Sequence, residues 1–283
     1  MELRQLVKEV PYLLETRGDM SVEIAALCSN SREKTENGIF FCFAGAHFDA
    51  HQYAPQAVQN GCVALVVERF LDDVNVPQVL VSNGRAAMAR ICEAFFNHPE
   101  RKMRFVGITG TKGKTTTTYL VKSILENAGR KVGLVGTIEI IIGDTHIHAV
   151  NTTPESYLLQ EYFAKMVESG CDTVVMEVSS QALMLHRTQG FVFDFGIFTN
   201  LEPDHIGPNE HGSFEEYAHC KSLLFQQCRV GIANCDDVHW QLITKEHTCS
   251  LETYGMSKKA DLRAQNLQFT NRQGHLGIAF DVT

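Results

Sequence analysis

Apolar residues in this chain gather in short runs bounded by glycine, asparagine or proline, and these runs alternate with stretches whose apolar positions fall three and four apart. In the first hundred residues, GIFFCFAG over 38–45 reads as a strand, 51–60 as a short helix, and CVALVVE over 62–68 and VPQVLVS over 76–82 as further strands. Residues 85–96 have helical spacing, and His98-Pro99 stops them because proline disfavours helix in the residue before it. Past residue 104 the rhythm becomes strand, glycine turn, helix, strand. Apolar runs at 104–110, 131–137, 171–178, 193–200 and 229–234 are interleaved with helical segments at 114–127, 154–168 and 214–227.

That alternation predicts an α/β fold: a small mixed α/β domain, then a domain with a mainly parallel sheet flanked by helices. The break is placed near 98–103, where Pro99 and the charged Glu100, Arg101 and Lys102 interrupt the apolar pattern, giving domains of 1–100 and 101–283. The tail alternates Leu267 and Phe269, turns near 272–274, then alternates Leu276, Ile278 and Phe280, which predicts an antiparallel hairpin. The chain stops within the second strand of that hairpin, so a truncated central domain, with a further C-terminal domain absent, is the expectation.

Composition narrows the partners. Hydrophobic residues make up 44% and charged residues 20%, the balance of a globular protein, and a net charge of −8 opposes binding to nucleic acid or anionic membrane. No apolar run approaches a membrane span, and the start has charges in every apolar stretch, unlike a secretory leader. Nine cysteines without a CxxC pair suit reduced thiols in a cytoplasm. Nothing in the sequence specifies an oligomeric state.

The segment GITGTKGKTTTTYL follows an apolar strand and opens a helix, the context a P-loop requires. Its glycines let backbone N–H groups turn inward on phosphate oxygens, and the helix start adds its positive end. Lys114 would meet the β- and γ-phosphates and the Thr115 hydroxyl a Mg²⁺ ion. The spacing departs from GxxxxGK[ST], since Ile108 stands where the first glycine would fall.

A P-loop also needs an acid at the end of a neighbouring strand, and Glu177 ends the run VVM before the turn VSSQ. Asp204-His205 follows FGIFTNL in the same way, which puts an imidazole at the carboxyl edge where open α/β sheets place ligands. On the helix SFEEYAHCKSLLF, Lys221 shares one face with Phe214, Tyr217, Ala218, Leu224 and Phe225. Two readings of it stay open. Its stem packs while the ammonium reaches water, or burial keeps the amine neutral, able to capture CO₂ as an anionic carbamate that ligates metal.

Together TGTKGKTT, NTTPES, MEVSSQAL, FTNLEPDH and the Lys221 helix resemble, in this order, the central domain of the Mur ligase family. The stretch from Asn30 to Glu68 is similar to the UDP-binding domain of the third enzyme of that series. The resemblance implies an ATP-dependent ligase of peptidoglycan precursor synthesis. Such an enzyme phosphorylates a carboxylate of UDP-N-acetylmuramoyl-L-alanyl-D-glutamate and joins an incoming amino acid to it through the acyl phosphate.

Carried over by position, Gly110, Thr111, Lys112, Gly113, Lys114, Thr115 and Thr116 would hold ATP. Thr115 and Glu177 would bind one Mg²⁺, and His205 with a carbamate on Lys221 a second. Lys114, Glu177, His205 and Lys221 form the implied catalytic set. Asn151, Thr152, Thr153, Ser179 and Arg187 would hold the muramoyl peptide, and Ser31 with Ala46, His47 and Phe48 its uridine diphosphate. The chain departs from the family pattern at Lys112, Asn30, Gln181 and Leu185, and IGPNEHGS runs about two residues longer than usual. A folylpolyglutamate-type ligase and a nucleotide-binding protein without ligase activity are the alternatives.

Overall fold

The computed structural model describes residues 1–45, 49–208, 210–272 and 275–283. They form two compact units: Met1–Met103 with Pro154–Gly170 and Met184–Phe191, and Arg104–Thr153 with Cys171–Leu183 and Val192–Thr283.

The first unit is built on a sheet of five strands in the order Leu13–Arg17, Gln78–Val81, Cys62–Val67, Gly38–Cys42 and Ala26–Cys28. Only the pairing of Leu13–Arg17 with Gln78–Val81 is antiparallel. GIFFC is a continuous apolar run because both faces of its strand are covered. Ile39 and Phe41 point into one apolar cluster with Val66, Val79 and Ile91, whereas Phe40 and Cys42 point into a second with Leu65, Val67 and Ala57. The segment read as one helix over 51–60 is a 3-10 turn, Ala50–Tyr53, followed by the helix Ala54–Gln59. Gly84–Phe95 is helical as its spacing predicts, with Asn83 accepting the Ala86 N–H at 3.0 Å as its cap.

The second unit carries a ten-stranded sheet. Its spatial order is His275–Val282, Leu262–Arg272, Ser250–Gly255, Cys228–Asn234, Phe193–Phe198, Arg104–Thr109, Thr173–Glu177, Val132–Val135, Glu139–Ile142 and Thr145–His148. The centre is parallel. The final two strands in sequence pair antiparallel, as the alternation predicts, and Glu139–Ile142 and Thr145–His148 add a second antiparallel edge.

Register in the centre decides what meets at the carboxyl edge. Arg104–Thr109 lies between Thr173–Glu177, with Glu177 opposite Ile108, and Phe193–Phe198, with Phe198 opposite Thr109. The glycine turn after Thr109, the carboxylate of Glu177 and the segment Thr199-Asn200 therefore emerge at one level, where open α/β sheets form ligand crevices. All nine cysteines are free thiols. No helix among the described residues is long and apolar enough to cross a membrane.

Candidate active site

Between strand Arg104–Thr109 and helix Lys114–Asn127 the chain makes a turn that only glycine tolerates at its start. Gly110 has φ 150°, and a Cβ there would lie 2.0 Å from the Thr199 hydroxyl. Gly113, at φ 80°, sits in the left-handed region immediately before the helix. The loop is held from beside by Thr199 and Asn200: Thr199 Oγ1 donates to the Lys112 carbonyl at 2.7 Å, and Asn200 Oδ1 accepts the Lys112 N–H at 2.9 Å. Threonine is a poor helix former, but Thr118 fits this one because its buried hydroxyl donates to the Lys114 carbonyl at 2.8 Å. Thr116 is exposed.

Lys114 folds back over its own loop, with Nζ 2.9 Å from the Gly110 carbonyl oxygen and 3.1 Å from that of Thr111. Burial lowers its pKa. Lys221 reaches the same place from the helix Phe214–Ser222, which Ser213 caps by accepting the Glu216 N–H. Its side chain is 1% exposed, donates to the Gly110 carbonyl at 2.9 Å and lies 4.4 Å from the centre of the Tyr217 ring. Of the two readings left open by the sequence, the structure takes the buried amine. Burial, with the positive charge of Lys114 added, pushes the Lys221 pKa down to about 7.

Glu177 is 1% exposed and fully engaged. Its carboxylate accepts from the Thr115 hydroxyl at 3.1 Å, the Thr137 N–H at 2.9 Å and the Thr137 hydroxyl at 3.0 Å. The threonine and the acid thus form a cluster of hard oxygen donors at the P-loop helix, a donor type that suits Mg²⁺. Beside it, the Thr137 and Thr152 hydroxyls lie 3.1 Å apart, with Thr152 left to donate because the Thr137 proton goes to Glu177, and the buried Thr153 donates to the Glu177 main-chain oxygen at 2.9 Å and accepts the Ser179 N–H at 3.1 Å. Asn151 is exposed next to them.

His205 stands apart. It is 53% exposed, has φ 54° and pairs with Glu210 at 2.9 Å. Its ring centre is 6.1 Å from that of Tyr217, the ring that also faces Lys221. Among the described residues no hydrogen bond joins His205 to Lys221 or Glu177. The exposed Lys112 pairs with Glu202 rather than turning inward.

The remaining expected residues belong to the first unit. Ser31 is 8% exposed, donates to Gln56 Oε1 at 2.9 Å and lines a cavity of about 570 Å³ with Asn30, Phe43, Arg85 and Tyr157. Arg187 pairs with Glu155 at 2.6 Å. Ala46, His47 and Phe48 lie outside the described residues.

Thr137, Asn200 and Tyr217 were not singled out as site residues by the sequence. FTN directly follows a strand of the parallel centre, which marks Asn200, and Tyr217 stands one turn before Lys221 on the same stripe. Thr137 has no such mark. His211 is another: it is 0% exposed, its Nε2 lies 2.8 Å from Ser180 Oγ, and its ring centre is 5.2 Å from that of Tyr217.

Comparison with known proteins bears on the family and the fold. The family described as Mur ligase middle domain matches residues 108–281. UDP-N-acetylmuramoyl-L-alanyl-D-glutamate–2,6-diaminopimelate ligase 1 of Clostridium acetobutylicum is 43% identical over 283 residues, covering 100% of this chain and 57% of that protein. The chain therefore spans a little over half the length of that curated relative. A solved UDP-N-acetylmuramoyl-L-alanyl-D-glutamate–2,6-diaminopimelate ligase shares the fold with a TM-score of 0.83 at 22% identity, covering 100% of this chain and 57% of the other. MurF ligase from Thermotoga maritima in complex with ADP aligns at TM-score 0.56 and 17% identity, over 90% of this chain and 57% of the other.

Proposed function

Because the chain belongs to the Mur ligase family, we propose that it is the UDP-substrate-binding and ATP-binding portion of an ATP-dependent amide-bond ligase of peptidoglycan precursor synthesis. The observation that carries this reading is the convergence of Lys114, Lys221 and the Thr115–Glu177 pair on the loop that starts at Gly110. The substrate is UDP-N-acetylmuramoyl-L-alanyl-D-glutamate. The relatives' names support 2,6-diaminopimelate as the incoming amine.

In this mechanism the γ-phosphoryl group of ATP passes to a free carboxylate of the bound dipeptide, and the amine attacks the acyl phosphate to give amide, ADP and phosphate. Two anions must approach, so Lys114 leaves the carbonyls of its loop for the phosphate oxygens. The loop N–H groups fix the nucleotide, and the work is orientation and electrostatic stabilisation, with no protein nucleophile. Thr115 and Glu177 would hold Mg²⁺, which when bound neutralises charge on the phosphates.

Lys221 is proposed to act as its carbamate, together with His205 at a second Mg²⁺. Its near-neutral amine adds to CO₂, forming the N–C bond and releasing one proton. The anion so formed lies beside Lys114, turning a repulsion between two ammonium groups into an attraction. Thr152, Thr153, Ser179 and Arg187 are proposed contacts of the muramoyl peptide. The Ser31 cavity, with an aromatic wall and the guanidinium of Arg85, is the proposed uridine diphosphate site.

A folylpolyglutamate-type ligase would share the ATP loop but has no use for a uridine site. Titration with the UDP-linked dipeptide and with folate separates the two. Saturable binding of the UDP-dipeptide alone is expected, and folate binding alone would overturn the assignment.

A further inference from the structure

The first unit buries two carboxylates beside a histidine. Glu93, on the helix Gly84–Phe95, is 0% exposed, and the side chain of Glu100, on the 3-10 turn Pro99–Lys102, is 6% exposed. His98 lies between them, and its N–H donates to the Glu93 main-chain oxygen at 2.8 Å. One potential ligand atom from each of Glu93, His98 and Glu100 lies within 4.8 Å of the other two.

Arginines occupy only one oxygen of each acid. Arg90 Nη1 is 2.7 Å from Glu93 Oε2, and Arg101 Nε is 3.4 Å from Glu100 Oε1, which His98 Nδ1 also approaches at 3.0 Å. The other two oxygens, Glu93 Oε1 and Glu100 Oε2, are buried with no hydrogen-bond partner. Leaving a carboxylate oxygen dry and unpaired is costly, and a positive group held by the two acids would relieve that cost. On one side Gly190 packs against this carboxylate, and a Cβ there would sit 1.8 Å from Glu93 Oε1. Glu9 pairs with both arginines, at 3.0 Å to Arg101 and 4.0 Å to Arg90, so the two guanidinium groups are shared among three acids, and burial pushes the Glu93 carboxyl up to about 8, the sign of an acid short of positive partners.

We propose that Glu93, His98 and Glu100 form a divalent transition-metal site, of the zinc class, that ties the end of the helix Gly84–Phe95 to the turn after it. One imidazole and two carboxylates are a good donor set for Zn²⁺, whereas the oxygen-only Thr115–Glu177 pair suits Mg²⁺. A tetrahedral ion with ligands at ~2.0–2.2 Å places its donors roughly 3.3–3.6 Å apart. The three atoms need close by little more than an ångström, and water completes the shell.

The test is zinc binding by the whole chain after chelation and dialysis, in excess Mg²⁺ and in a His205→Ala background that removes the histidine proposed at the Mg²⁺ site. We expect one Zn²⁺ per chain and a rise in Tm on its addition. His98→Ala and Glu100→Gln are each expected to weaken zinc affinity roughly tenfold or more, with an unchanged far-UV spectrum. Absence of zinc binding, or binding that neither substitution weakens, overturns the proposal. So does the pattern expected of a proton shared between the two acids, in which Glu93→Gln raises Tm and zinc has no effect. Should His98→Ala not fold, the isosteric Glu100→Gln decides.

Discussion

Lys114 and Lys221 donate to the same oxygen, the main-chain carbonyl of Gly110, each at 2.9 Å. Burial pushes both amines toward the neutral form, and at Lys221 the positive charge of Lys114 adds to the effect. The arrangement suits a site that receives polyphosphate, whose anionic oxygens would give both lysines a stronger partner than a neutral carbonyl.

Lys221 makes stability depend on pH. Its folded pKa, about 7, lies below the value of about 10.4 for a free lysine, so the unfolded chain holds more protons between them. Its contribution to stability therefore rises as pH increases from about 7 toward 10. Lys221→Met is expected to remove that slope. Urea midpoints of the two proteins at successive pH values, under CO₂-free conditions, read it directly, and parallel curves would contradict it.

Gly110→Ala forces a side chain into the Thr199 hydroxyl at a φ that other residues rarely adopt. A loss of stability on the order of 1–3 kcal/mol is expected, together with loss of ATP binding. Gly113→Ala is the control, because a Cβ there meets nothing within 4 Å and only the positive φ is penalised. Thermal denaturation with and without ATP·Mg²⁺ separates the two substitutions.

Much of this is legible in the sequence where burial is two-sided. Gly38–Cys42 and Thr173–Glu177 are buried at every position, and runs of that kind announce themselves. Leu13–Arg17 does not, because all of its residues are exposed and it is an edge strand paired with Gln78–Val81. Thr145–His148 is hidden for a similar reason, being an edge strand exposed at every position but Ile147. In the site, Gly113 and Lys114 are marked by motif, and Lys221 by its place on an apolar stripe. Its fate depended on a carbonyl 111 residues earlier in the chain, which no local pattern carries. Thr137 owes its contact with Glu177 to the register of Val132–Val135 beside Thr173–Glu177.

Glu177→Gln keeps the shape and removes the charge that would hold Mg²⁺. The affinity for ATP in the presence of Mg²⁺ is expected to fall about tenfold or more, the loss of a charged contact being worth roughly 1.5–3 kcal/mol. Affinity for ADP measured in a chelator should change little. Equal losses in both conditions would assign Glu177 to the loop's structure through Thr115 and Thr137 instead of to the ion.

Ser31→Ala tests the first unit by itself. It removes the hydroxyl that donates to Gln56 at the cavity wall. UDP affinity is expected to drop about tenfold, a cost of roughly 1.4 kcal/mol, with ATP affinity unchanged. Fluorescence competition with each nucleotide in turn makes the comparison.

The central claim is a phosphate-binding loop served by Lys114, and calorimetric titration of the chain with ATP·Mg²⁺ tests it most directly. Saturable binding at one site is predicted, weakened about a hundredfold in Lys114→Met, or roughly 2.7 kcal/mol. No binding to the unaltered chain, or equal affinity in Lys114→Met, would contradict it.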